Sequence, residues 1–269
     1  MTNGATKPGQ NIPIPGVPNL RDMGGWAAPG GRVRKGMLYR SAEFGALDGD
    51  AADAFAKLGI RSVYDLRTTD ERNANPNTVP GGTEYTILDI LADSTDAAPA
   101  QVGKAVSDPK AAAETLGDGK AVSMFEEGYR LIVTLPSALT GYHQFFTDIS
   151  EAEHRPGAFH CTTGKDRTGW AAATFLLMLG VSEEDVYADY LLTNDQLVPA
   201  LQPLVDKFAA AGGDPDLLTP VLGVQRSYLD AGLDEMKKRY KSLDGYFTDG
   251  LGLDAATIEK IRSDFVEEA

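Results

Sequence analysis

Residues 158–179 of the 269-residue chain are AFHCTTGKDRTGWAAATFLLML, and they run from a short strand through a polar loop into an apolar helix. Ala158–His160 has strand character, and Thr168–Leu179 is apolar on nearly every side of a helix. A helix that is apolar all round is usually buried. Gly180 follows at the position where helices commonly end on a left-handed residue. The pattern predicts a buried strand–loop–helix unit.

Strands and helices alternate along the rest of the chain. Further strands, bounded by Gly or Pro, are predicted at Leu38–Ser41, Ile60–Leu66 and Thr83–Leu88. Capping-box spacings begin at Thr68 and Ser123, the second ahead of a helix that stops near Pro136. Other helices are predicted from Asp48 to about Leu58, along the apolar stripe Leu139, Tyr142, Phe145, Phe146 and Ile149, and at about 182–193, 200–211, 224–241 and 254–267. The alternation predicts an α/β fold with a partly parallel sheet and a helical tail.

The chain shows no internal repeat and no Gly/Ser linker, so residues 19–269 are predicted to form a single domain. Residues 1–18 carry four prolines and are predicted to be a flexible arm. Residues 93–120, rich in Ala, Asp and Gly, are predicted to be an inserted flap. Apolar residues at helical spacing near residue 204 indicate one of two arrangements. They either pack in the ordinary way or belong to a helical lid, at about residues 194–241, that covers a cleft.

Composition restricts the classes of partner. The net charge of −14 makes the surface as a whole repel nucleic acid and anionic membranes. Cys161 is the one cysteine, which excludes an internal disulfide and argues against a cysteine-based zinc site. Residues 1–16 have no apolar core of signal-peptide length, and the longest apolar stretch is too short to span a bilayer. A cytoplasmic location without an integral membrane segment is therefore expected.

The polar loop has the features of an anion site. Cys161 ends the strand, and the backbone N–H groups that follow can converge on one point at the N-terminus of the helix. A tetrahedral phosphate fits such a nest, and the same amides and helix dipole stabilise a thiolate. Arg167 can grip two phosphate oxygens with its guanidinium. A lone Cys followed six residues later by Arg arises easily by chance, so the prediction depends on the whole loop and its position between strand and helix.

The other loop residues have expected supporting roles. Gly164 allows the backbone to turn, and Thr168 offers a hydroxyl to the sulfur. His160 is expected to brace the loop by hydrogen bonding without touching a substrate. Lys165 can meet a second anionic group, such as another phosphate on an inositol ring, or only add positive potential. Substrate-binding positions are therefore predicted at Thr162, Thr163, Gly164, Lys165 and Thr168.

The segment His160–Gly169 resembles the signature of protein tyrosine phosphatases, and its Gly-Lys-Asp-Arg-Thr-Gly form resembles that of a bacterial family with tyrosine, dual-specificity and phosphoinositide activities. Similarity extends to other segments, namely Asn19-Leu20-Arg21-Asp22, Leu38-Tyr39-Arg40-Ser41, Asp65-Leu66-Arg67, Ala188-Asp189-Tyr190-Leu191, Asn194-Asp195 and residues 240–253. The resemblance implies a central, mostly parallel sheet of the cysteine-phosphatase type, flanked by helices, and phosphotyrosine proteins or phosphoinositides as substrates. It implies no metal and no organic cofactor.

The reaction implied is a two-step displacement. The Cys161 thiolate attacks phosphorus while a general acid protonates the leaving oxygen, and water then hydrolyses the phosphocysteine. Two carboxylates compete for the role of acid. Asp166 lies inside the loop, and the family resemblance suggests that a loop Asp takes part, whereas Asp89 follows the strand Thr83–Leu88. Asp166 is favoured, with Asp89 alone or a shared role as the alternatives.

Two other classes of protein use comparable loops. A sulfurtransferase also holds one cysteine among oriented amides, but it has no need of the Lys-Asp-Arg-Thr-Gly run. An inactive phospho-binding module is the non-enzymatic alternative, and it is expected to have lost Cys161, Arg167 or the nearby carboxylates. Arg21, Arg40 and Arg67 are predicted to be ion-pair partners within the fold.

Overall fold

The computed structural model describes residues 7–45, 47–94 and 108–268. Among these residues, eight strands lie in two sheets: β1 (Arg21–Asp22), β2 (Ala27–Ala28), β3 (Gly31–Val33), β4 (Leu38–Ser41), β5 (Ser62–Asp65), β6 (Glu84–Ile87), β7 (Gly157–His160) and β8 (Val266–Glu268). The larger sheet has the order β1-β4-β7-β5-β6, in which β4, β7, β5 and β6 are parallel and β1 is antiparallel. The smaller sheet, β2-β3-β8, is antiparallel. The predicted α/β fold with a mostly parallel sheet is confirmed.

Helices flank the larger sheet. They are α1 (Gly49–Ala56), α2 (Thr69–Ala74), α3 (Pro109–Leu116), α4 (Lys120–Thr134), α5 (Pro136–Ser150), α6 (Arg167–Met178), α7 (Glu183–Leu197), α8 (Gln202–Ala210), α9 (Thr219–Leu222), α10 (Arg226–Tyr240), α11 (Leu243–Gly245) and α12 (Ala255–Phe265). Short 3₁₀ turns lie at Ala152–His154, Val198–Leu201 and Pro215–Leu217, and a π turn at Tyr246–Gly250. Within the described residues, no helix is both long and apolar enough to cross a membrane.

The register of the parallel strands places three chain segments at one edge of the sheet. Ser41 and Asp65 both pair with His160, so the carboxyl ends of β4, β5 and β7 lie side by side. The loops that follow these strands therefore meet, as ligand sites of parallel sheets generally require. Cys161 follows β7 directly and stands at this edge.

The helix after Cys161 is buried, as its all-round apolar sequence predicts. The side chains of Trp170 and Phe175 in α6 have no exposed surface. Gly180 ends the helix with φ +78°, and the N–H of Val181 donates to the carbonyl of Leu176. This is the left-handed helix end that the glycine predicts. The central position of α6 fixes the loop at its N-terminus against the sheet.

Two predicted boundaries are wrong. The helix before Pro136 begins at Lys120, after Gly119 turns the chain with φ +78°, so Ser123 lies inside α4 and caps nothing. The last helix ends at Phe265, and Val266 instead pairs with Val33 in the smaller sheet. A long-range strand partner, absent from any local pattern, overrides helical periodicity there.

The predicted arm and flap coincide only in part with described residues. Residues 7–18 pack against the domain and are not a loose arm where described, because Ile14 and Val17 are buried in a cluster with Leu20. Residues 1–6 and 95–107 lie outside the described residues. The described end of the flap contains α3, whose Ala112 and Leu116 are buried in an apolar cluster near Phe208. The removal of these apolar side chains from water stabilises the packing of both segments against the rest of the domain.

Candidate active site

The loop from Cys161 to Arg167 turns its carbonyl oxygens outward. Asn19 Nδ2 donates to the carbonyls of Thr163 (3.3 Å) and Gly164 (3.0 Å), and Arg40 Nη2 donates to the same Gly164 oxygen at 2.8 Å. The N–H of Glu43 donates to the carbonyl of Thr162 at 3.1 Å. Neighbouring segments thus hold the loop from outside.

The amides of the same loop are free. In the described part of the chain, no backbone N–H of residues 162–166 donates a hydrogen bond to a protein group. Buried backbone N–H groups are nearly always paired, so five consecutive free ones beside a buried cysteine indicate a site for an anion. Cys161 is 1% exposed and lies at the base of this loop.

Gly164 is required by the shape of the loop. Its φ is +66°, and a Cβ built there would lie 2.2 Å from the carbonyl oxygen of Ser41. The loop therefore touches the end of β4 so closely that no side chain fits, and it also uses a backbone conformation that favours glycine.

Arg167 is oriented by a carboxylate that is not part of the loop. Glu71 on α2 accepts from Arg167 Nη1 through Oε2 and from Nη2 through Oε1, both at 2.7 Å. Burial disfavours the charge of Glu71, but the hydrogen bonds and charge of Arg167 hold the pKa of that carboxyl well below its ordinary value. Burial likewise opposes the charge of Arg167, yet Cys161 and Glu71 raise its pKa above the ordinary value. Both groups are charged.

Asp166 lines a pocket above the loop, and its side chain is 23% exposed. Its Oδ1 is buried and has no hydrogen-bond partner among the described residues, and its Oδ2 lies 3.6 Å from Lys165 Nζ. Burial raises the pKa of Asp166, and the neighbouring Lys165 and Arg167 offset only part of that effect.

The Lys165 side chain is directed away from solvent. Its Nζ donates to the carbonyls of Val221 (2.5 Å) and Gly223 (3.0 Å) and lies 3.8 Å from the centre of the Phe125 ring. Burial lowers the pKa of Lys165, while Asp166 acts in the opposite direction. Lys165 thus joins the loop to the last turn of α9 and to the residue that follows it, within the region 194–241.

Asp89 is not among the residues that line the pocket of Asp166. Its Oδ2 accepts from the N–H of Thr69 at 3.2 Å, and its Oδ1 accepts from the N–H of Leu91 at 3.1 Å. It borders a separate depression with Ile87 and Pro136. In this geometry Asp89 stabilises the first turn of α2 and the bend after β6.

His160 and Thr168 support the loop from below. His160 Nε2 lies 2.8 Å from Asn77 Nδ2, which donates to it, so Nδ1–H donates to the Cys161 carbonyl at 3.0 Å. Burial lowers the pKa of His160 to about 4, with Asp65 acting in the opposite direction, so the ring is neutral at neutral pH. The Thr168 hydroxyl is buried and has no partner among the described residues, which leaves it available to a neighbouring sulfur.

A pocket of about 270 Å³ opens over the loop. Its walls are mainly apolar and its floor carries the loop residues; it is lined by Glu71, Leu91, Ser94, Met124, Phe125, Gly128, Tyr129, Leu131, Ile132, Thr162, Thr163, Lys165, Asp166, Arg167 and Val221. Phe125 stacks on Tyr228 with ring centres 5.3 Å apart. An apolar cleft with a few convergent polar groups is typical of a small-molecule or side-chain binding site.

Comparison with known proteins agrees with this geometry. The sequence model of the tyrosine phosphatase family matches residues 12–267. The chain belongs to the tyrosine phosphatase family. It is 32% identical over 246 residues to a candidate tyrosine-protein phosphatase of Cupriavidus necator, covering 90% of this chain and 84% of the relative. Over 274 residues, it is 31% identical to the triple specificity protein phosphatase PtpB of Mycobacterium tuberculosis, covering 93% and 96%.

The predicted ion pairs of this phosphatase are confirmed. Arg21 and Arg40 both bond the buried Asp189, at 2.9 and 2.6 Å, and Arg67 bonds Asp65 at 2.7 Å. Sequence reasoning missed a second role of Arg40. Besides its ion pair with Asp189, Arg40 donates a hydrogen bond to the carbonyl of Gly164 in the loop.

Glu71 is the functional candidate that sequence reasoning missed. The capping box from Thr68 to Glu71 is confirmed, since each residue's side chain accepts from the other's backbone N–H. A capping box already explains a Glu at the third helical position. The available signal was the position of Arg167, a cation directly before a helix predicted to be buried, because a buried cation requires an anionic partner.

Proposed function

We propose that this phosphatase hydrolyses phosphate monoesters, phosphotyrosine above all, through a phosphocysteine intermediate on Cys161. The observation that carries the proposal is the row of free amides at residues 162–166 around a buried cysteine, with the Arg167 guanidinium held beside it. Membership of the tyrosine phosphatase family supports the reaction type.

The side chains have distinct roles in the two steps. The Cys161 thiolate attacks phosphorus, forming the S–P bond as the ester P–O bond breaks, and the loop amides and Arg167 hold the charge of the equatorial oxygens. A proton from Asp166 passes to the departing oxygen. The carboxylate then takes a proton from the water that attacks the phosphocysteine, and the thiolate leaves with a hydrogen bond from Thr168.

Asp166 is the general acid in this proposal. It lines the pocket above the loop together with Arg167 and has a raised pKa, which favours the protonated form that an acid needs. Asp89 lies on a different depression, and both of its oxygens accept backbone hydrogen bonds. The geometry therefore supports Asp166 over Asp89.

The substrate class follows from the pocket walls. The rings and aliphatic chains of Phe125, Leu131 and Ile132 border the pocket and suit an aryl group above the loop. The mycobacterial relative is named a triple specificity protein phosphatase. We therefore extend the proposal to phosphoserine, phosphothreonine and phosphoinositides. Thr162 and Thr163 form part of the floor that such groups contact.

The test is phosphate release, without added metal, from a phosphotyrosine peptide, a phosphoserine peptide and a phosphoinositide. Each assay is run beside Cys161→Ser, which keeps the loop but lacks the thiolate. We expect hydrolysis of the phosphotyrosine peptide and its loss in the variant. Turnover that persists in Cys161→Ser contradicts the cysteine mechanism. Absence of turnover on all three substrates removes the proposal in favour of phosphate binding or sulfur transfer.

A further inference from the structure

Three of the five N–H groups of Arg167 are already bonded within the protein. Nη1 donates to Glu71 Oε2 (2.7 Å) and to the carbonyl of Leu66 (3.2 Å), and Nη2 donates to Glu71 Oε1 (2.7 Å). A guanidinium carries five N–H groups in a rigid plane. The Nε–H and the second Nη2–H remain, and within residues 7–45, 47–94 and 108–268 no group accepts from Nε.

The two remaining N–H groups form one edge of the guanidinium. They point in parallel on the side next to Nε, which is the fork that bidentate recognition of phosphate uses. Because Glu71 engages the adjoining edge, formed by Nη1 and Nη2, its two bonds leave the phosphate-binding edge free and fix the direction in which that edge points.

Glu71 itself is held by four donors. Its Oε1 accepts from Arg167 and from the Thr162 hydroxyl (2.5 Å), and its Oε2 accepts from Arg167 and from the Thr68 N–H (2.8 Å). A carboxylate offers about four lone-pair sites, so all of them are filled. The side chain is only 18% exposed. Neither rotation nor protonation occurs without the loss of at least one of these bonds.

We infer that Glu71 is a positioning residue of the reaction, which aims the free edge of Arg167 at the phosphoryl group and ties the loop to α2 through Thr162. This inference rests on the proposed function, because it assigns Arg167 to the phosphoryl oxygens. Glu71 touches no reacting atom and acts through Arg167. Since positioned hydrogen bonds to developing charge dominate catalysis of this kind, the orientation of one guanidinium has a large effect.

A carboxylate that competes with phosphate for Arg167 would have the opposite role, and it would change anion affinity in the opposite direction. A carboxylate bound to an arginine can also compete with phosphate for it, and the removal of such a competitor tightens anion binding. A positioning carboxylate has the reverse effect, because its removal frees the guanidinium to rotate away from the anion. The sign of the change in anion affinity separates the two roles.

The experiment compares Glu71→Gln with Thr68→Ala. Thr68→Ala removes the other half of the same capping box, a 3.3 Å bond from the Glu71 N–H, and leaves every contact of Arg167 intact. Measured quantities are kcat and KM on p-nitrophenyl phosphate, inhibition by orthovanadate, and the thermal midpoint. For Glu71→Gln we expect inhibition by orthovanadate and kcat/KM to weaken about 10- to 100-fold, the range of a lost charge-assisted hydrogen bond. Thr68→Ala is expected to lower the thermal midpoint, but to change kcat/KM and the inhibition by orthovanadate by less than about threefold.

Unchanged or tighter orthovanadate inhibition in Glu71→Gln overturns the inference, as does an equal loss of activity in Thr68→Ala. Phosphate binding to Cys161→Ser and to Cys161→Ser/Glu71→Gln, measured by calorimetry, tests the positioning role without turnover. Weaker binding in the double variant supports that role even if the native chain hydrolyses no ester, so failure of the proposed function and failure of this inference remain separate results.

Discussion

Asp166 stands beside two cations, yet its pKa is raised. Lys165 and Arg167 stabilise the carboxylate, but burial disfavours it more strongly, and one of its oxygens has no partner among the described residues. A raised pKa increases the protonated fraction near neutral pH, which suits a proton donor to a leaving group. At the scale of a single residue, desolvation decides the protonation state.

Asp166→Asn is expected to impair poor leaving groups selectively. Turnover of phenyl phosphate should fall about 10²- to 10⁴-fold, the usual contribution of a general acid, while an activated nitrophenyl ester loses much less because it departs without a proton. In the native enzyme the rate should fall as pH rises through the raised pKa of Asp166, and this limb should be absent from the variant. Asp89→Asn is the matched control. Equal losses on both esters contradict the assignment.

The loop between β7 and α6 is an element whose shape depends on one close approach. Gly164 contacts the end of β4 with φ +66°, while Arg40 and Asn19 bind its carbonyl oxygen. The strand before the loop and the helix after it are both buried. The loop therefore has little freedom to relax around an added side chain.

Gly164→Ala is expected to abolish most activity and to destabilise the fold. A left-handed alanine costs about 1 kcal/mol, and overlap with Ser41 adds about 1–3 kcal/mol. Gly212→Ala separates the two contributions, because Gly212 also has positive φ (+87°) but has nothing within 4 Å of its added Cβ. Chemical denaturation and kcat/KM measure the effects. Similar losses of stability in both variants, or full activity in Gly164→Ala, contradict the expectation.

Over the whole molecule, Asp189 connects parts that are distant in sequence. It bonds Arg21 in β1 and Arg40 in β4 from its position on α7. All three side chains are almost completely buried. Burial raises the pKa of Asp189, but the two arginines outweigh it and hold the pKa below its ordinary value. The cluster holds the N-terminal segment, the sheet and the loop after β7 together.

Asp189→Asn should lower the free energy of unfolding by about 3–5 kcal/mol, because two buried arginines lose their counter-charge. A depressed carboxyl pKa contributes stability that is complete above the unfolded value of about 3.9 and is lost as pH falls through the folded pKa. The difference from the native chain should therefore shrink in acid. Urea denaturation across pH measures it, with Glu184→Gln on the exposed face of the same helix as control. A change below about 1 kcal/mol at neutral pH contradicts the expectation.

Local patterns predicted the elements well where one face is continuously apolar. The strand β4, the buried helix α6 and its end at Gly180 are confirmed, because periodicity and glycine conformation are properties of short segments. Local patterns failed at Val266, which joins a strand more than 200 residues away. The part of the site that the sequence predicted is the Cys161–Thr168 loop, because all of its groups are consecutive in sequence.

The amino-acid sequence by itself determined the α/β fold, the strand–loop–helix unit and the family of this phosphatase, since these depend on the order of residues within short segments. Only the tertiary structure decided which of the two candidate acids lines the pocket above the loop, that Lys165 binds backbone carbonyls, and that Glu71 bonds Arg167. These contacts join residues up to 96 positions apart. The register of parallel strands and the burial of charge determine them, and neither is encoded in a local pattern.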